Sequence, residues 1–152
     1  MPVIRDDPYA AFNFQVEFPD VGIDGASVRG GFTSVDGLSI EQEVIEYRNG
    51  NERSLSPRKL PGLVKFSNIS LKRGVIGDLT LWNWVRQSLQ GKPQKVSGRI
   101  HLLNEAHDEI VMTLRVRNAW PIKFSGPALD GAASAIAVEE IVLAHEGLEI
   151  ED

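Results

Sequence analysis

Phe12-Asn-Phe-Gln-Val-Glu-Phe18 decides the fold class. Phe12, Phe14, Val16 and Phe18 alternate without a fault with Asn13, Gln15 and Glu17, the period-two pattern of a strand with one buried face. Toward the C-terminus, the Gly- and Asp-rich connection Pro19–Gly31 leads to a short strand, Gly31–Val35, and then to Asp36-Gly37. Glycine supplies the positive φ of a tight turn, so this dipeptide predicts a hairpin. The next strand, Leu38–Tyr47, alternates poorly. Ile40 and Val44 share a face with Gln42 and Glu46, while Glu41 and Glu43 share the other with Ile45 and Tyr47. Neither face is dry, which suits a strand lying partly outside the domain core.

Arg48–Gly62 (RNGNERSLSPRKLPG) has no period of either kind. A connection longer than about 12–15 residues inside a compact domain is unusual and tends to be functional. Leu63–Lys72 is a strand whose apolar phase shifts from Val64 and Phe66 to Ile69 and Leu71, predicting a β-bulge near Ser67-Asn68. Asp78–Gln90 is a helix: Asp78 is a good N-cap, Leu79, Trp82, Val85 and Leu89 form an apolar stripe, and Gly91 then Pro93 stop it. Strands Val96–Asn104 and Glu109–Trp120 follow, joined through Glu105-Ala-His-Asp108. In the second, Ile110, Met112, Leu114, Val116 and Trp120 share a face. Ala132–His145 fits a strand or a helix, and its β-branched residues favour a strand. The sum is one mainly β domain over residues 1–152: two packed antiparallel sheets forming a barrel or sandwich, with one flanking helix.

The chain has 152 residues and no cysteine, which suits one domain with its own core and excludes a disulfide framework, a thiolate nucleophile and a cysteine-based zinc site. No apolar run reaches the length of a membrane span. Met1–Asp7 lacks the apolar stretch of a secretory signal, so synthesis and folding in a cytoplasm are expected, without membrane anchoring. The net charge of −5 hides a pattern: residues 1–47 carry −7, residues 48–73 carry +6, residues 74–133 carry +2 and residues 134–152 carry −6. Charges usually mark solvated faces, but acidic ends and a basic middle can also complement a second copy.

Catalysis finds little support. His101, His107 and His145 lie in different elements with no ligand spacing, so no metal site is expected. There is no nucleophile elbow and no phosphate loop. Gly74-Val-Ile-Gly77 precedes a helix, but Asp78 occupies the place an anion would take. Glu41/Glu43 and Glu139/Glu140 read as solvated carboxylates rather than an acid–base pair. Nucleic-acid binding is disfavoured by the negative total and by the single aromatic, Phe66, within Arg48–Arg73. No enzyme activity and no cofactor are expected.

Lys59-Leu-Pro-Gly-Leu-Val-Lys-Phe-Ser-Asn-Ile-Ser-Leu-Lys-Arg-Gly74, followed by Leu81-Trp-Asn-Trp84, resembles the inner tail-tube proteins of contractile phage tails and of phage-tail-like contractile injection systems. Asp7–Phe18, Gly31–Leu38, Ile45–Gly50 and Ala144–Leu148 carry the same likeness, in order, over nearly the whole chain. The resemblance implies a tail-tube fold with the final ambiguous segment as a strand. It also implies a structural virion or particle component: hexameric rings stacked head to tail into a rigid tube. The tube would sit inside a sheath, on a baseplate with its tube-initiator and spike proteins, and carry cargo protein or DNA. A ring-forming effector carrier of a type VI-like secretion system is the alternative. Against that background the 48–62 loop reads as an inter-subunit arm carrying Arg48, Arg53, Arg58 and Lys59. Glu41 and Glu43 are the lumen-facing candidates, and the period-two pattern equally permits Gln42 and Glu46.

Overall fold

The computed structural model describes residues 2–25 and 31–152. Part of the Pro19–Gly31 connection lies outside the described residues. Nine strands and one α-helix occur among them: β1 (Phe14–Glu17), β2 (Ser34–Asp36), β3 (Ile40–Tyr47), β4 (Arg58–Phe66), β5 (Ile69–Gly74), α1 (Thr80–Leu89), β6 (Val96–Leu103), β7 (Ile110–Ser125), β8 (Val138–Ala144) and β9 (Gly147–Ile150). All pairings are antiparallel.

The 16-residue β7 organises the body. Its first half pairs with β6 and β9, and its second half pairs with β8. One sheet therefore holds β1, β6, β7 and β9, and the other holds β7, β8, β5 and β2. The path runs β1-β6-β7-β8-β5-β2. Because β1 and β2 end that path without pairing each other, the two sheets fold toward a sandwich and do not close into a barrel. At Asn118, φ is +50°, and two β7 residues, Arg117 and Asn118, oppose Ser97 alone. This bulge lets one strand serve two sheets. The expected single face of that strand does not hold: Val111, Thr113, Val116 and Ala119 are buried, while Ile110 is exposed and Met112, Leu114 and Trp120 are half-buried.

The core lies between the sheets and α1. Val16 and Phe18 meet Ile69 and Leu71 from β5, Ile141 and Leu143 from β8, and Leu81, Trp84 and Val85 from the helix. The Phe12–Phe18 alternation thus holds for Phe14, Val16 and Phe18, and Phe12 is exposed. The Trp84 ring lies 5.5 Å from that of Phe18, and its indole N–H donates to the Gln94 carbonyl at 3.0 Å, so its polar edge is satisfied.

Several sequence expectations need correction. The helix exists, but of its expected stripe only Val85 is buried; Leu79, Trp82 and Leu89 face outward. The covered face is set by β7, against which α1 packs. Asp78 stands one residue before the N-cap position, yet its carboxylate still accepts from the Thr80 hydroxyl at 2.9 Å and the Thr80 amide at 3.3 Å. Gly91, at φ +78°, follows the last turn as expected. Asp36-Gly37 makes no hairpin, since β2 pairs with β5 and β3 with β4. Gly37 instead turns the chain from one pair into the other at φ +89°, where a Cβ would stand 1.9 Å from the Asn68 carbonyl oxygen. The predicted strand Leu63–Lys72 is two strands interrupted at Ser67-Asn68, and the bulge falls at Gly62-Leu63 opposite Glu43. The connection expected over 48–62 is shorter, because Arg58 through Gly62 belong to β4.

Arg73 is the charge within the body. Its side chain is 1% exposed, its Nε donates to Glu139 Oε1 at 2.7 Å, and Asp78 Oδ2 lies 3.6 Å from Nη1. The guanidinium therefore ties β5 to β8 and to the start of α1, with two carboxylates balancing a charge that would otherwise be costly to bury.

Candidate assembly surface

β3 and β4 form a two-stranded sheet of their own. Every residue of β3 is exposed, and none of β4 is buried. Cross-strand register defines the two faces. One carries Ile40–Phe66, Gln42–Val64, Val44–Pro61 and Glu46–Lys59; the other carries Glu41–Lys65, Ile45–Leu60 and Tyr47–Arg58, with Glu43 facing the bulge. Ile40, Val44, Ile45, Tyr47, Leu60, Leu63 and Val64 all stand exposed, Leu63 at 74%. An isolated two-stranded hairpin is marginal in water. Two open edges and apolar residues on both faces make this a surface in need of cover.

The loop at its tip, residues 48–57, is organised from within. The Arg48 Nε donates to the Ser54 carbonyl at 2.8 Å and its Nη2 to the Glu52 carbonyl at 3.0 Å. Arg58 pairs with the Glu52 carboxylate, and Tyr47 donates to Asn49 Oδ1. Of the four arm residues read from the sequence, two thus hold the loop together. Arg53 and Lys59 are exposed, with no side-chain partner among the described residues. Glu41 and Glu43 share a face with Lys65. The Lys65 ammonium is hydrogen-bonded and ion-paired to Glu43, with Glu41 adding to the field, which raises the lysine above its ordinary value. The two carboxylates are therefore partly neutralised within the hairpin. Gln42 and Glu46 lie on the opposite face.

The acidic C-terminal block is also spent largely inside the chain. Glu139 meets Arg73, Glu140 meets Lys72, Glu146 meets Lys95, Glu149 meets Arg115, and Glu151 meets both Arg99 and Arg115. Charge segregation along the sequence thus becomes pairing across the fold. His101, on β6, is satisfied, with Nδ1 2.9 Å from Thr113 Oγ1 and Nε2 3.0 Å from Glu17 Oε2. At the N-terminus, Arg5 pairs with Glu105, which also accepts from the Ala10 amide at 3.1 Å. Hydrogen bonding to Arg5, then to backbone N–H groups, holds the Glu105 carboxyl down at about 2.

Sequence reasoning missed the apolar half of this surface. The signal was present in Leu60-Pro-Gly-Leu-Val64, an apolar run divided between the loop ending at Gly62 and the strand starting at Leu63. The Arg5–Glu105 clamp had no local signal at all, because its partners are 100 residues apart.

Among the described residues, the feature that stands apart from the body is this exposed two-stranded hairpin. Residues 10–149 match the family described as T4-like virus tail tube protein gp19, and the chain belongs to that family of structural, non-enzymatic tail tube proteins. Among solved structures, a chain of the PVC sheath–tube complex of an extracellular contractile injection system, in the extended state, is 32% identical, with 95% of this chain and 91% of that one covered and a TM-score of 0.81. A chain of the PVC sheath/tube terminator is 31% identical, with 97% and 99% covered and a TM-score of 0.83. Hcp1 from Flavobacterium johnsoniae is 11% identical, with 90% and 93% covered and a TM-score of 0.53, a likeness of fold alone. No curated protein sequence matches. No helix among the described residues is long and apolar enough to cross a membrane.

Proposed function

We propose that this chain closes into hexameric rings that stack head to tail as the rigid inner tube of a contractile injection system or tail. The single-domain body supplies the wall of each ring, and the β3–β4 hairpin with its 48–57 tip is the arm that reaches a neighbouring subunit. The observation that carries this reading is the hairpin itself: two open edges and exposed apolar side chains on both faces. Heterologous contacts between two different patches build closed rings or open stacks, and pairing the hairpin edges around a ring would remove them from water.

A sheath around the tube, a terminator at its end and a baseplate with tube initiator and spike at its start are the partners of this reading. The sheath–tube and terminator chains to which this chain is similar support the first two. Arg53 and Lys59 are the arm cations best placed to meet a neighbour's carboxylates, while Arg48 and Arg58 keep the tip in shape. Glu41 and Glu43 face the lumen, tempered by Lys65, and cargo protein or DNA passes over them. Assembly precedes export, in the cytoplasm.

Negative-stain microscopy of the purified protein tests the assembly. Tubes or rings are expected from the wild type, and a strictly monomeric species at high concentration would overturn the reading. Arg53→Glu with Lys59→Glu, or deletion of Asn51–Pro57, should leave a folded monomer that does not polymerise. Glu41→Lys with Glu43→Lys should leave tube length intact while changing cargo loading; loss of tubes would place both residues at an interface instead.

A further inference from the structure

The ribbon that carries the arm bends where it leaves the body. β2 pairs with β5 and β3 with β4, so one long two-stranded ribbon is interrupted at residues 37–39 on one strand and Ser67-Asn68 on the other. The Ser67 amide donates to the Ser39 carbonyl at 3.3 Å, and the two serine hydroxyls are hydrogen-bonded. Both bonds run within the ribbon and do not fix it to anything else.

Phe66, at the end of β4, packs against the core, and His145 adds a polar connection to the body. His145 lies in the turn between β8 and β9, half-buried, with its ring centre 5.6 Å from that of Phe66. Its Nε2 is 2.8 Å from the Ser67 carbonyl oxygen, and its Nδ1 is 3.1 Å from the Gly147 carbonyl oxygen. Both partners can only accept. A neutral imidazole carries a single N–H, so one ring lone pair would face an oxygen lone pair at hydrogen-bond distance. The imidazolium donates to both.

We propose that His145, as an imidazolium bridging the Ser67 and Gly147 carbonyls, is a proton-dependent latch that fixes the β3–β4 arm to the body. Loss of the proton removes one of the two bonds and frees the arm to swing at the 37–39/67–68 break. Charged groups reach this junction from every element around it. Arg117 on β7 donates to the Glu146 carbonyl at 3.0 Å. Glu146 in the turn is shared with Lys95 and Asn118, and Glu149 on β9 is paired with Arg115. The hairpin brings Lys65 and Glu43 as a mutual pair. A cleft of about 110 Å³ lined by Phe66, Arg115, Arg117, Gly147, Leu148 and Glu149 adjoins the junction.

The test uses dilute, monomeric full-length protein, so it stands apart from whether tubes form. Nitrogen-15 NMR of the His145 ring and protection factors of the β3–β4 amides are followed from pH 5.5 to 8.5. Two protonated ring nitrogens are expected at the acid end, and hairpin protection should fall about tenfold as that proton is lost, while amides of β7 and β8 keep theirs. His145→Gln, which offers donors from one amide nitrogen only, should show the low hairpin protection at every pH, and His107→Gln should respond as the wild type does. A ring with one N–H across the whole range, or hairpin protection that is the same in wild type and His145→Gln, would overturn the latch. Absence of tubes at any pH would instead count against the assembly proposal and leave these monomer measurements standing.

Discussion

The two ends of one ribbon behave as opposites. In β5, Ile69, Leu71 and Arg73 are buried, and each strand neighbour comes from the same chain. In β3 and β4, a few residues away, apolar side chains of the same kinds stand in water. Composition does not separate them: Ile-Ser-Leu in β5 and Val-Ile in β3 are both good strand sequences. Position does. The inner end lies between a second sheet and a helix, while the outer end has neither. Stability should therefore be set by the inner end and association by the outer one.

The largest expected effects come from the inner end. Trp84→Ala opens a cavity beneath Phe18 and should cost about 3–5 kcal/mol in urea unfolding. Arg73→Ala strands Glu139 and Asp78, and a loss of about 3–5 kcal/mol is expected by the same measurement. A much smaller cost for either would break the comparison. At the bend, Gly37→Ala must leave a positive φ and clear the Asn68 carbonyl, which should cost about 1–3 kcal/mol. At the outer end, on the face opposite Glu41 and Glu43, Val44→Ser with Val64→Ser should change unfolding by no more than about 0.5 kcal/mol while abolishing polymers seen by light scattering. A comparable loss of stability there would mean the hairpin is supported from within its own chain.

The smallest effect concerns acid. Glu105 is held well below its ordinary value in the folded chain. Its contribution is thus present above about pH 4.5 and fades as pH falls toward about 2. Amide exchange at Val3 and Ala10 should rise through that window with the body still folded. Glu105→Gln should show the faster exchange already at neutral pH.

The strand at Phe14–Glu17, the helix and its stop and the turn at Glu105–Asp108 were legible because each rests on local periodicity or capping, whereas the period of Val138–Ala144 did not decide and its β-branched residues favoured the strand. The tail-tube likeness was legible because it runs along nearly the whole chain. The mixed faces of Leu38–Tyr47 were read correctly as those of a strand outside the core. The helix stripe was misread because α1 carries apolar residues on two faces, and only β7 decides which is covered. The long loop was misread because Pro61 and Gly62 look like breakers, although Gly62 sits in a bulge that a two-stranded edge tolerates.

By itself, the sequence determined that the chain is mainly β, that Phe14–Glu17 and Ile40–Tyr47 are strands, where the helix stops, and the family to which the chain belongs. The tertiary structure alone decided that β7 would join two sheets, that the C-terminal carboxylates would be matched inside the chain, and that β3 and β4 would stand apart. The physical reason is range. Side-chain alternation and caps act over a few residues, whereas burial and charge pairing depend on what arrives from 50 or 100 residues away.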